Sequence, residues 1–170
     1  MKTLFVCTML VLLFASGFSK VNNFLPSEHR PEETPYEKFR RQHVDAKMTE
    51  KLCNTEISNR NIYKLDNSCK ETNTFILSIP AKVKSICRDD GRYDENSGMT
   101  YSTATFRIIK CKLKHQGARK PSCQYEGRLL TNRIIVVKCE GKLPVHFNRD
   151  LLPSELVGVV DVLAGSPQTD

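Results

Sequence analysis

The sequence predicts an α+β fold in which helices come first and antiparallel strands follow. Helical segments occur before Gly91, whereas the chain from Thr100 onward alternates in Tyr, Thr, Phe and Ile as strands do. This order of elements is typical of α+β architecture. Beyond residue 19 the chain has six cysteines, and an even number in a small secreted chain indicates a disulfide framework.

The N-terminal residues are predicted to be a signal peptide. Lys2 precedes a nearly unbroken apolar run over 4–14, and small residues follow within 15–19. The run is shorter than the roughly 20 apolar residues that span a bilayer, so we expect residues 1–19 to be removed on secretion. Residues 20–35 lack periodicity and are expected to be a flexible N-terminal extension, which leaves 36–148 as the folded domain.

A capping box marks the start of the first helix. Thr34 occupies the N-cap, a proline follows at the first helical position, and Glu37 lies where its carboxylate can reach back to the N-cap. Phe39 and His43 lie on one face of this helix. We therefore expect His43 on a buried or semi-buried side, beside an aromatic ring.

The remaining elements follow in chain order. Helices are expected over about 50–59 and 80–86. Strands are expected over 100–113, 123–130 and 133–139, with Thr131-Asn132 as a turn between the last two, and a short final strand covers 145–147.

Residues 149–170 are expected to form a C-terminal tail. Residues 151–164 are apolar enough to pack, but they include Asp161 and end in polar residues. A disordered tail and a short docked helix therefore both stay open. An apolar tail that directly follows the last strand could also fold across a groove of the domain and regulate it.

The charge of the chain restricts its partners. The whole chain carries 26 Lys and Arg against 19 Asp and Glu, and residues 36–148 alone carry 22 against 12, a net charge of +10. A cationic domain attracts polyanions such as RNA, anionic glycans and bacterial surfaces. Charge alone does not choose among them, and it is equally compatible with a solvated basic surface.

The cysteines indicate disulfides rather than a zinc site, because no Cys-x-x-Cys pair occurs and the spacings are long. Spacing alone leaves their connectivity open. The cysteines beyond residue 19 are Cys53, Cys69, Cys87, Cys111, Cys123 and Cys139.

Three short patterns lie far apart in the chain: Gln42-His43, Cys69-Lys70-Glu71-Thr72-Asn73-Thr74-Phe75 and Pro144-Val145-His146-Phe147. With these patterns the chain resembles the pancreatic-type ribonuclease superfamily, which includes the angiogenins. The resemblance covers about residues 36–148. The Cys-Lys-x-x-Asn-Thr-Phe string is the signature of this family and is highly specific.

The resemblance implies a fold and a disulfide pairing. The expected fold is three helices on a curved antiparallel β-sheet, as in ribonuclease A. The expected disulfides are Cys53–Cys111, Cys69–Cys123 and Cys87–Cys139.

The resemblance also implies an endoribonuclease chemistry that uses no metal or other cofactor. RNA cleaves itself to a 2′,3′-cyclic phosphate when its 2′-hydroxyl loses a proton and the 5′-oxygen gains one. Histidine suits both transfers because its ordinary pKa is about 6.5. His43 is the implied base, His146 the implied acid, and Lys70 stabilises the negative transition state. The other histidines, His29 and His115, match no family site and are expected to be exposed.

Further substrate contacts follow from the same resemblance. Gln42 and the Phe147 backbone are implied to bind the scissile phosphate, Asn73 to brace the site, and Thr74 to read a pyrimidine. The implied contacts to flanking phosphates are Lys38, Arg41 and Lys112, and the implied contact to the downstream base is Glu140.

The chain departs from the digestive members of the family in three ways. Those members have eight cysteines, whereas six are present here beyond residue 19, as in angiogenins; the missing bridge would shape the polar stretch 88–98. Asn148 replaces the acid that usually orients the catalytic imidazole. Lys110 replaces an Asp that tunes pyrimidine preference. These changes predict a competent but slower enzyme.

A second function class therefore stays open: a cationic secreted effector, angiogenic or antibacterial, whose action does not depend on RNA cleavage. Its partners would be anionic cell or bacterial surfaces. By family resemblance a cytosolic ribonuclease inhibitor is a further expected partner, and uptake to the nucleus or nucleolus would accompany an angiogenin-like role. Nothing in the sequence demands an oligomer, so we expect a secreted monomer.

Overall fold

The computed structural model describes residues 32–156. The predicted signal peptide at 1–19, nearly all of the predicted extension, His29 and residues 157–170 of the predicted tail lie outside this range. Among the described residues, no helix has the length and apolar character needed to cross a membrane.

The first helix, α1, spans Pro35–His43 and begins where the capping box predicts. The Thr34 Oγ1 accepts a hydrogen bond from the Glu37 amide at 3.2 Å, and the Thr34 amide donates to the Glu37 carboxylate at 2.8 Å. Phe39 is almost fully buried. The reciprocal cap therefore fixes both the start of α1 and the face that it turns to the core.

The other two helices also form where they are expected. A 3₁₀ turn at Glu50–Leu52 leads directly into α2, Cys53–Asn59. Helix α3, Pro80–Lys84, continues into a second 3₁₀ turn at Ser85–Cys87.

Six antiparallel strands form the sheet, in the spatial order β1-β4-β5-β3-β2 with β6 also paired to β5. Their bounds are β1 Thr72–Ile76, β2 Gly91–Asp94, β3 Met99–Ser102, β4 Phe106–Leu113, β5 Tyr125–Glu140 and β6 Leu143–Leu151. The α+β class with helices on an antiparallel sheet is thus confirmed.

Strand β5 differs from the sequence prediction. The two strands expected at 123–130 and 133–139 are one strand of 16 residues, and Thr131-Asn132 lies within it, at a shift of register against β4, rather than forming a turn between strands. Asn132 adopts a φ of 54°, which Asn tolerates better than most residues. The first half of β5 pairs with β4, and the second half pairs with β3 and β6. The strand therefore joins both halves of the sheet.

Other strands were missed or misjudged in length. The predicted strand 100–113 is two strands, β3 and β4, and the stretch 88–98 contains β2 rather than only a polar loop. Strand β1 was not predicted because Thr72, Asn73 and Thr74 are polar, yet four of its five residues are buried. Its neighbours in the sheet, not its own pattern, make it a strand.

The last strand extends into the predicted tail. Strand β6 runs to Leu151 instead of ending at residue 147, and residues 153–156 form a helical turn. Leu156 packs on the small cluster formed by Tyr101, Ile134 and Val136. The described part of the tail thus extends the domain.

Three disulfides are present, and their pairing is the one that the family resemblance implies. Cys53–Cys111 joins α2 to β4, and Cys87–Cys139 joins the end of the α3 segment to β5. Cys69–Cys123 joins the loop before β1 to the loop before β5. The cysteines of the first bridge are buried in the core. The bridges therefore tie distant segments to one scaffold.

Candidate active site

The end of α1 is fastened to β1 by backbone and side-chain hydrogen bonds. The side-chain Nδ2 of Asn73 donates to the backbone carbonyl of Gln42 at 2.9 Å, and the backbone N–H of Asp45 donates to the backbone carbonyl of Ile76 at 3.1 Å. The last carbonyls of a helix have no partner within the helix. Asn73 supplies one, so the predicted bracing residue holds α1 against the sheet.

His43 is oriented by its contact with β1. Its Nδ1 lies 2.8 Å from the Thr74 carbonyl oxygen, which can only accept, so Nδ1 carries the proton in the neutral ring. The ring also lies between Phe39 and Phe147, at centroid distances of 5.4 and 5.2 Å. The Nε2 atom is thus left as the unprotonated nitrogen.

The surroundings of His43 keep the imidazole uncharged. The pKa of His43 is lowered to about 4, mainly by burial and to a smaller extent by the charges of Lys70 and His146, against the opposing effect of the Thr74 carbonyl. The ordinary pKa is about 6.5. At neutral pH the His43 ring is therefore a free base.

Lys70 is held in the site at both ends. Its ammonium donates to the Gln42 Oε1 at 3.0 Å, and its backbone carbonyl accepts from the Tyr125 hydroxyl at 2.9 Å. Partial burial lowers the pKa of Lys70, and the charges of Lys38 and Arg41 lower it further. Burial raises the pKa of Tyr125 to about 12, so this phenol remains a donor. Sequence analysis missed Tyr125 because nothing local distinguishes it from a core tyrosine.

His146 lies on β6, and together with His43 it lines a cleft of about 340 Å³. The side chain is exposed, and no hydrogen bond joins the ring to another residue within 32–156. Asn148, which the family resemblance aligns with the orienting acid of digestive members, is also exposed. The cleft is lined by Glu33, Pro35, Lys38, Phe39, Gln42, His43, Val145 and His146.

Two of the residues expected to hold flanking phosphates are near this cleft. Lys38 lines it, whereas the Arg41 guanidinium is already bound to the carboxylate of Glu33. The Arg41 Nε and Nη2 donate to the two carboxylate oxygens of Glu33 at 2.6 and 2.7 Å. Its Nη1 donates to the Arg60 carbonyl. Sequence analysis missed Glu33 because it precedes the helix in a segment with no pattern.

Lys112 and Glu140 do not line the His43 cleft. Lys112 lies in a second cleft of about 350 Å³, lined by Lys110, Lys112, Glu126, Arg128, Leu130 and Arg133. This second cleft lies on β4 and β5, where Lys110 is in register with Thr74 of β1. Glu140 is exposed at the β5–β6 turn.

Lys110 belongs to a charge network that sequence analysis also missed. The Lys110 Nζ lies 2.7 Å from the Asp150 carboxylate, and the Arg133 Nη1 lies 3.6 Å from its second oxygen. The Asp150 side chain is only 4% exposed, so these two cations offset the cost of burying it. His115 is exposed, as expected.

The arrangement combines a neutral imidazole, a second imidazole that lines the same cleft, and an ammonium that is hydrogen-bonded to Gln42 of the cleft wall. Such a cleft can bind a phosphodiester, remove a proton on one side and donate one on the other. Within residues 32–156, no group of three or more His, Cys, Asp or Glu side chains is placed to hold a metal ion.

Comparison with known proteins identifies the class to which this fold and site belong. The family model described as pancreatic ribonuclease matches residues 34–148. The chain therefore belongs to the pancreatic ribonuclease family.

Individual relatives agree with this assignment. "Ribonuclease-like 3" of Danio rerio is 36% identical over 149 residues, which cover 86% of this chain and 96% of that protein. "Angiogenin-1" of Bos taurus is 33% identical over 86% of this chain and 95% of its own length. A crystal structure of green turtle egg white ribonuclease superposes with a TM-score of 0.61 at 37% identity, covering 70% of this chain and all of the other.

The position of Lys70 leads to a prediction about disulfides. Replacing Cys69 and Cys123 together by Ala should lower both stability and kcat, because Cys69 fixes the backbone next to Lys70. Replacing Cys53 and Cys111 should cost similar stability, since the two bridges span 54 and 58 residues; each is worth about 4 kcal/mol in the chain-entropy model.

Urea unfolding and cleavage kinetics per folded molecule, both at low temperature, would check this. An equal loss of kcat in the two double variants would contradict the positioning of Lys70 by its neighbouring bridge.

Proposed function

We propose that this protein is a secreted endoribonuclease that cleaves RNA 3′ of pyrimidines through a 2′,3′-cyclic phosphate and needs no metal ion. The observation that carries the proposal is the hydrogen bond between His43 Nδ1 and the Thr74 carbonyl. It leaves Nε2 free to accept a proton, and the lowered pKa keeps it available at neutral pH.

The remaining roles follow from position in the cleft. His43 takes the proton of the 2′-hydroxyl, and His146, which lines the same cleft, protonates the 5′-oxygen that leaves. The Lys70 ammonium, steadied by Gln42, stabilises the charge that develops on the phosphate. In the second step the two histidines exchange roles and hydrolyse the cyclic phosphate. DNA lacks the 2′-hydroxyl and is not cleaved.

The pyrimidine preference and the modest rate are part of the same proposal. Thr74 offers a backbone donor and a hydroxyl next to His43, which together match the donor and acceptor on the edge of uracil or cytosine. The rate is reduced because Asn148 cannot supply a charged partner to His146. Secretion is supported by the signal-like sequence at 1–19 and by the three disulfides.

The first test is cleavage of a uridine-rich RNA by the oxidised protein lacking residues 1–19, with a metal chelator present. Wild type should cleave. His43→Ala and His146→Ala should each lower kcat/KM by about 10²–10⁴-fold, and Lys70→Ala by about 10²–10³-fold.

His115→Ala is the matched control, because it removes an exposed imidazole outside the cleft and should leave kcat/KM unchanged. An inactive wild type that is correctly folded would defeat the enzyme proposal.

The pH dependence of cleavage gives a second test. The base must be unprotonated, so kcat/KM is lost as pH falls through the pKa of His43 in the free enzyme. Because that pKa is about 4 rather than about 6.5, the acid limb of the profile should lie near pH 4. An acid limb near pH 6.5, measured with a dinucleotide substrate, would contradict the lowered pKa of His43.

A second candidate function is a cationic effector that acts on anionic surfaces without cleaving RNA. The observation that favours it is the second cleft, where Lys112 and Arg128 are exposed and make no ion pair with any residue in the described range. Such a surface binds anionic membranes through charge and requires no active site.

Binding to vesicles that contain phosphatidylglycerol would separate the two functions. If the effector function holds, His43→Ala should bind these vesicles as wild type does, and Arg128→Ala should bind more weakly. Arg107→Ala is the matched control, because Arg107 is an exposed cation of β4 outside the second cleft. Equal binding by Arg128→Ala and Arg107→Ala would remove the second cleft from this function.

A further inference from the structure

The His43 cleft contains one feature that phosphate binding does not explain: a carboxylate. The ionisable side chains that line it within the described range are Glu33, Lys38, His43 and His146, and Glu33 is the one acid among them. The hydrogen bonds from Arg41 lower the pKa of Glu33, and the charges of Arg41 and Lys38 lower it further. Glu33 is therefore ionised at neutral pH, and it places a negative charge in a cleft whose other ionisable side chains are basic.

The contact between Glu33 and Arg41 has the geometry of an anion in a guanidinium fork. Both carboxylate oxygens are bound, one by Nε and one by Nη2, at 2.6 and 2.7 Å. Arginine binds carboxylate and phosphate with the same bidentate geometry. The third nitrogen of Arg41 is bound to the Arg60 carbonyl. A phosphate cannot take the Nε–Nη2 edge of Arg41 while Glu33 holds it.

We propose that Glu33 is a specificity-determining residue that acts as an internal competitor for phosphate at Arg41. An RNA with a phosphate beyond the scissile one must displace the Glu33 carboxylate before Arg41 can bind that phosphate. This proposal rests on the proposed function, since it concerns anion binding next to the same catalytic groups. Displacement raises KM for substrates that carry the additional phosphate, and the chemical step is unaffected because Glu33 makes no hydrogen bond to His43, His146 or Lys70.

The strength of the effect is bounded by the exposure of the pair. The Arg41 and Glu33 side chains are 33% and 38% exposed, and ion pairs of this kind contribute little to stability. The expected gain in anion affinity on removing Glu33 is therefore about fivefold. Glu33 is also separate from the capping box, which uses Thr34 and Glu37. Its substitution should leave α1 folded.

The test is calorimetric binding of inorganic pyrophosphate at low salt to the signal-free protein. Glu33→Gln should tighten binding about fivefold, whereas Glu32→Gln should change it less than about twofold. Glu32 is the matched control because it is an adjacent, exposed acid that makes no ion pair within the described range. Glu33→Ala provides a second variant, and thermal unfolding checks that each variant is folded.

A double-mutant cycle assigns the effect to Arg41. In an Arg41→Ala background, Glu33→Gln should no longer tighten pyrophosphate binding. Equal effects of Glu33→Gln and Glu32→Gln, a gain that persists without Arg41, or weaker binding by Glu33→Gln would each overturn the proposal.

Cleavage kinetics supply an independent readout. Glu33→Gln should lower KM for a uridine-rich oligonucleotide at unchanged kcat, and should have little effect with a dinucleotide that has a single phosphate. A fall in kcat would overturn the competitor role. Pyrophosphate binding requires no catalysis, so the two proposals can fail separately. A wild type that binds pyrophosphate but does not cleave RNA would defeat the proposed function. The calorimetric affinities of the Glu33 variants would still decide whether Glu33 competes for Arg41.

Discussion

The junction between the end of α1 and β1 is the constraint on which the site depends. Asn73 satisfies the Gln42 carbonyl that the helix leaves without a partner, and the next residue, Thr74, offers its own carbonyl to His43. The same two adjacent positions of β1 therefore dock the helix and fix the imidazole. Because this junction is buried, the ring keeps one orientation and one proton position, which is what a general base requires.

The other catalytic candidates are placed by contacts that are distant in sequence. Lys70 is held by Gln42 from α1, by Tyr125 from β5 and by the Cys69–Cys123 bridge beside it. His146 is placed by the pairing of β6 with the second half of β5. Strand β5 thus positions the lysine at one end and the histidine at the other, and its unbroken course through Asn132 is what connects them.

Two groups of cations in the domain are each paired with a nearby carboxylate. Burial, and after it the cations around the cleft, lower the pKa of both His43 and Lys70, which favours a neutral base but opposes further positive charge. Two carboxylates offset this field at separate points: Glu33 at Arg41, and Asp150 between Lys110 and Arg133. The first is exposed and can be displaced by a phosphate, whereas the second is buried and serves to support the sheet surface next to Thr74.

The sequence by itself determined the α+β class, the start of α1 and the family, because caps, periodicity and the Cys-Lys-x-x-Asn-Thr-Phe string are local signals. The disulfide pairing followed from the family resemblance and not from spacing. Only the tertiary structure decided that Thr72–Ile76 is a strand, that 125–140 is one strand and that Arg41 is held by Glu33. It also decided that Tyr125 holds the Lys70 backbone and that Asp150 is buried beside Lys110 and Arg133. Each of these depends on partners from other segments, and no local pattern encodes which distant group will satisfy a buried carbonyl or charge.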